Sequence, residues 1–152
     1  MSARLYRLIY VSAARRLFSQ EDLRALLGKA RGNNAQNGIG GLLLYHDGSI
    51  LQVLEGEEDE VRACFSRIRR DPRHGQVMCL FSAPVDQKLF PDWGMGFARP
   101  EMLGTGNGDR VRALDAVIDD LPRLAALDRR TAHVIRTFFR THRGLADRVS
   151  AS

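Results

Sequence analysis

Four polar residues have side chains that could do chemistry: Tyr10 in LIYVSAA, Asn33 and Asn34 in NNAQNG, and Gln52 in the middle of GSILQVLEG. A primary amide has two donors and two acceptor lone pairs, and leaving it unpaired in a core costs roughly 1–3 kcal/mol. Gln52 therefore needs partners. In strand periodicity Tyr6, Leu8 and Tyr10 share one face, and Gln52 shares a face with Ile50 and Leu54. A core tyrosine and a core amide that bond each other or the backbone would explain the same pattern. Other catalytic signatures are missing. GTGNG (104–108) has neither the spacing nor the Lys-Ser/Thr ending of a phosphate loop and reads as a linker. Histidines 46, 74, 133 and 142 form no H-E-x-x-H, so no metal site is expected, and no serine sits in a G-x-S-x-G elbow. Cys64 and Cys79 lack C-x-x-C spacing and read as two buried small hydrophobes.

The elements that must carry these residues follow from pattern. RLYRLIYVS (4–12) is rich in aromatic and branched residues and predicts a strand. Ser19 is a candidate N-cap with Asp22 three residues on, and Leu23, Leu26, Leu27 and Ala30 continue a first helix that should end near Gly32. Two apolar runs joined at Asp47-Gly48 predict a hairpin. EEDE (57–60) puts acids in the first turn of a second helix with an apolar stripe of Val61, Cys64, Phe65 and Ile68, which Pro72 stops. QVMCLFSAPV (76–85) and DWGMGFAR (92–99) read as fourth and fifth strands. The order βαββαββ suggests an α+β, ferredoxin-like sandwich: a five-stranded mixed sheet with two helices on one face. Val111, Leu114, Val117 and Leu121 form one further apolar stripe, and Val134, Ile135, Phe138 and Leu145 another. These two C-terminal helices would cover the other face or form an oligomer interface, dividing the chain into 1–100 and 101–152.

LIYVSAA around Tyr10, NNAQNGIGGLLLY from Asn33, LQVLEG around Gln52, RRDPRH ending at His74 and FPDWGM around Trp93 and Met95 together resemble the BLUF domain, a blue-light sensor using FAD. The resemblance covers residues 4 to about 99. Residues 100–152 resemble the two-helix extension of short stand-alone members. One departure is Ile39-Gly40-Gly41, where the family usually has Ile-Thr-Gly; Gly40 loosens the backbone there. The resemblance implies a flavin ring between the two helices that cover the sheet. Asn34 would pair with its polar edge, Asn33 would stand at a variable edge position, and Leu43, Ile50 and Ile68 would form apolar walls. Arg73 and His74 would lie near the ribityl and phosphate part. Tyr10 would supply an electron and a proton on excitation, and Gln52 would flip or tautomerise, exchanging the hydrogen bonds it offers to Tyr10 and flavin. Trp93 and Met95, on one face of the fifth strand, would carry the change outward, Met95 also approaching the cofactor. No substrate is turned over in this scheme; a separate signalling partner receives the output.

With 152 residues, 44% hydrophobic and 27% charged, the chain fits one soluble domain. It shows no secretory signal and no apolar run long enough to span a bilayer, so a cytoplasmic location is expected. The net charge of +5 concentrates between Arg129 and Arg148, where six arginines face one acid. Arg129, His133, Arg136, Arg140 and Arg143 would line one helix face. That stripe supports the alternative of a light-independent nucleic-acid or protein binding module, although it lacks interleaved exposed aromatics and a recognition-helix motif. An acylphosphatase-like enzyme would need a glycine-rich anion loop that VSAARRLF does not provide. The apolar stripes make a homodimer or larger ring plausible.

Overall fold

The computed structural model describes residues 4–14, 21, 38–46, 48–90, 96–98 and 121–141. Of the expected first helix only Glu21, which is helical, lies among them. Asn33, Asn34, Trp93, Met95, GTGNG and the stripe from Val111 to Val117 lie outside the described residues.

The fold is α+β. Its strands are β1 (Leu5–Ala14), β2 (Gly40–His46), β3 (Ser49–Glu57), β4 (His74–Pro84) and β5 (Gly96–Ala98), and its helices are α1 (Glu58–Arg70), α2 (Leu121–Leu127) and α3 (Arg129–Thr141). The sheet order is β4-β1-β3-β2-β5. β1 pairs antiparallel with β3 and β4, β2 antiparallel with β3, and β5 parallel with β2. Gly48, at φ 86°, turns the β2–β3 hairpin, pairing His46 with Ser49 across two residues.

Alternation sorts the side chains between two cores. Ile9 of β1, Leu51 and Val53 of β3, and Leu42 and Leu44 of β2 pack with Leu121, Leu124, Ala132, Ile135 and Phe138. The intervening residues Tyr6, Leu8 and Tyr10, Ile50 and Leu54, and Leu43 and Tyr45 pack with Val61 and Cys64 of α1, and Phe65 and Ile68 join that cluster half-buried. Thus α1 covers one face and the C-terminal pair covers the other. α1 carries Glu58, Asp59 and Glu60 in its first turn and Arg67, Arg69 and Arg70 in its last, each set complementing the helix dipole. Its C-cap is Asp71, directly before Pro72.

Two expectations need correction. Cys64 is buried but Cys79 is exposed: β4 is an edge strand, and its middle residues Met78, Cys79 and Leu80 all face solvent. The fourth strand also begins two residues earlier than its apolar pattern implies, because His74 and Gly75 already pair with Ala14 and Ala13. Among the described residues, no helix is long and apolar enough to cross a membrane.

Candidate functional site

Tyr10 and Gln52 are directly opposed in the antiparallel β1–β3 register, on the face that α1 covers. Tyr10 is fully buried, Gln52 is buried beside it, and the Tyr10 hydroxyl donates a hydrogen bond to Gln52 Oε1. On its other side Gln52 is paired in register with Leu43 of β2. Leu43 and Ile50 are buried in the Tyr10 cluster, and Ile68 packs against it from α1. The amide that looked anomalous in an apolar strand therefore has its phenol partner in the next strand.

The surroundings fix the protonation of this pair. Burial pushes the Tyr10 phenol well above its ordinary range, and the nearby Cys64 and Asp71 act in the same direction, so the phenol stays protonated and donates. Phe65 of α1 packs on it with ring centroids 5.5 Å apart, and the His74 ring meets it edge-on at 6.2 Å. His74 Nδ1 lies 2.9 Å from Ser12 Oγ, both groups being buried. Burial lowers the His74 pKa against the opposing pull of Asp71, with Arg73 adding to the lowering, which favours a neutral ring. Burial likewise raises the Cys64 thiol despite Arg67.

Arg73 lies just beyond the C-terminal end of α1, next to His74. Its backbone N–H donates to Asp71 Oδ1 at 2.9 Å, and its guanidinium spans both carboxylate oxygens, Nε reaching Oδ1 at 3.0 Å. These bonds from Arg73 hold the Asp71 carboxyl down at about 2. Arg67, Arg70 and Arg73 surround a cavity of about 470 Å³ with Asp71 as its one acid. A larger cavity, about 900 Å³, has a mixed lining that includes Val11, Leu51 and Phe138 together with Ser12, Gln76 and His133.

Of the residues singled out by sequence, the structure brings Tyr10, Leu43, Ile50, Gln52, Ile68 and His74 together around one buried face and places Arg73 at the edge of the arginine cavity. Ser12, Asp71 and Phe65 were not singled out as functional. Ser12 shares the strand parity of Tyr10, and that alternation could have revealed it; Asp71 could have been found only from its spacing to Arg73. Among the described residues, no cluster of three or more His, Cys, Asp or Glu could hold a metal. A buried, protonated phenol bonded to an amide, with apolar residues beside it, can present hydrogen-bonding groups within an otherwise apolar setting.

The family described as "BLUF: Sensors of blue-light using FAD" matches residues 5–96. The photoactivated adenylate cyclase subunit beta of Euglena gracilis is 41% identical over 99 residues, which are 64% of this chain and 12% of that protein. The chain therefore spans only about an eighth of the length of that relative. The dark-state structure of BlrB, a BLUF protein, is 27% identical with a TM-score of 0.63, covering 83% of this chain and 85% of that one. A Klebsiella pneumoniae BlrP1 structure with FMN and cyclic diGMP is 35% identical with a TM-score of 0.60, covering 66% of this chain and 27% of that one. The family is described as sensors of blue light, and since its match runs through β1 to the start of β5 and includes both Tyr10 and Gln52, this chain belongs to the BLUF family of blue-light sensors.

Proposed function

We propose that this chain binds FAD non-covalently and reports blue light to a separate partner through rearrangement of the Tyr10–Gln52 hydrogen bond. The observation that carries the reading is that buried bond, donated by a phenol that burial keeps protonated. Leu43, Ile50 and Ile68 would wall the ring, Asn33, Asn34, Gln52 and Met95 would meet it, and Arg73 and His74 would hold the tail. The family description supports FAD; the FMN named with BlrP1 makes the flavin's identity a point to measure. When bound, the flavin supplies blue-light absorption and one-electron chemistry.

The protein's part is performed by two side chains. Tyr10 keeps its proton on Oη and offers it to Gln52 Oε1 in the dark arrangement. Turning the Gln52 amide by about 180° puts its Nε2 donors toward Tyr10 and its carbonyl on the other side, reversing what each neighbour receives. Carboxylate or alkyl side chains could not make that exchange. Trp93 and Met95 would pass the change on, within a ferredoxin-like sandwich that has a second helix beside α1. A cytoplasmic homo-oligomer is the assembly we expect.

The test is spectroscopic. Purified protein should be yellow, and flavin released by denaturation should co-migrate with FAD on chromatography. Blue light should shift the flavin absorption reversibly to longer wavelength. Gln52→Leu should still bind flavin and lose the shift. A protein that takes up no flavin, or a Gln52→Leu variant that cycles like the parent, would overturn the assignment.

A further inference from the structure

The strand pair that carries Tyr10 and Gln52 carries a second opposed pair on its reverse face. Arg7 and Glu55 face each other in the β1–β3 register, three residues along from Tyr10 and Gln52. Odd spacing puts them on the side of the C-terminal helices. Both side chains are almost entirely buried, at 3% and 0% exposure. Arg7 Nε donates to Glu55 Oε2 at 2.8 Å, and Arg7 Nη1 donates to Asp128 Oδ2 at 2.6 Å. Asp128 joins α2 to α3 and is the N-terminal cap of α3: its Oδ1 accepts from the Arg130 backbone N–H at 3.0 Å and its Oδ2 accepts from Thr131 Oγ1 at 3.0 Å. Glu55 also accepts from the backbone N–H groups of Leu89 and Phe90, at 2.8 and 3.1 Å.

We infer that the Arg7–Glu55–Asp128 cluster is a relay, separate from the fifth-strand route through Trp93 and Met95, by which the state of the Tyr10–Gln52 pair reaches the C-terminal helices, with Arg7 as the positioning residue for α3. This rests on the photosensor reading above and names its internal output. An apolar core tolerates small sliding of one layer over another, whereas buried charge-assisted hydrogen bonds are steep in distance and angle. Removing one member of such a cluster leaves a buried charge uncompensated, so its geometry constrains the neighbouring layer. Any displacement of β3 that accompanies the turn of the Gln52 amide would also move Glu55, three residues along the same strand. Arg7 holds Glu55 and Asp128 at once, so the shift is handed to the cap of α3.

The experiment is hydrogen–deuterium exchange on the flavin-loaded full chain, dark and under blue light, for the parent, Asp128→Asn and Arg7→Lys. Asparagine still caps a helix, so α3 should keep its dark-state circular dichroism in Asp128→Asn. Lysine keeps the charge but has no fork to bridge two carboxylates. All three proteins should show the flavin absorption shift. The parent should show a light-dependent change in exchange over residues 121–141, and each variant should reduce that change by about five-fold or more. A parent with no change there, or variants that retain the parent's change, would overturn the relay while leaving the photosensor reading intact. A parent with no absorption shift would instead overturn the reading beneath it.

Discussion

At the scale of single residues, burial sets the protonation of the polar groups around the Tyr10–Gln52 pair, raising the phenol and lowering the His74 imidazole. The Tyr10 hydroxyl is held protonated by burial and spends its hydrogen on Gln52. Tyr10→Phe removes that donor and the buried hydrogen bond that Gln52 Oε1 accepts from it. The expected cost is about 1–3 kcal/mol by urea denaturation, together with loss of the flavin absorption shift while flavin remains bound. His74 makes a pH prediction. Its folded pKa lies below the ordinary 6.5 because the ring is buried. Above about 6.5 both the folded and unfolded chains hold a neutral ring, and this contribution to stability is complete. As pH falls below that value the unfolded chain binds a proton first, so stability declines until the pH passes the folded pKa. His74→Gln should flatten the stability difference between about pH 5.5 and 7.5 relative to the parent. An unchanged slope would place the titration elsewhere.

At the scale of elements, what the sequence disclosed was local. The Asp47-Gly48 hairpin and the α1 stripe are legible because turn chemistry and helical periodicity operate over a few residues, and both are found where pattern puts them. Periodicity also gives the faces of β1 and β3. It does not give their register, which decides that Tyr10 meets Gln52 and not a neighbour, because that pairing joins residues far apart in the chain. The exposure of Cys79 was hidden for a related reason: an apolar run reads the same in an edge strand as in a central one. Two glycines separate backbone need from open space. Gly41 has φ 147°, and a Cβ there would lie 1.8 Å from the Val53 carbonyl oxygen; Gly38 has φ 69° with nothing within 4 Å. Gly41→Ala should therefore cost about 3 kcal/mol or more through strain and backbone clash, and Gly38→Ala about 1 kcal/mol through strain alone. Chemical denaturation of the two variants compares them directly; equal losses would mean the β2–β3 approach is looser than described.

At the scale of the whole molecule, the sheet holds two cores, and its basic character is partly structural. Arg7 is buried on two carboxylates, Arg123 donates to the Leu89 carbonyl at 2.7 Å, and the Arg130 guanidinium stacks 4.3 Å from the Phe81 ring centroid. These cations bind the chain to itself; none of them belongs to the stripe of Arg129, His133, Arg136, Arg140 and Arg143. None of this was legible locally: Arg7 and Asp128 stand 121 residues apart, and Arg7 in RLYRLIY looks like any surface charge on an alternating strand. The helix stripe at Ile135 and Phe138 was legible; what it covers was not, because a monomer's own sheet and a second subunit would both satisfy it. In the structure Leu124 and Ile135 share one contiguous core with Ile9, Leu42 and Val53. Leu124→Ala should then cost about 2–5 kcal/mol, the range for truncating a fully buried leucine. Because the core is continuous, the loss should not stay in the helices. Hydrogen exchange of β1 and β3 amides should accelerate together with that of α3 amides, as it does within one cooperative unit. If α3 alone exchanged faster while β1 and β3 kept their protection, the helix pair would be a separately unfolding cover, and the β1–β3 pair could move without it.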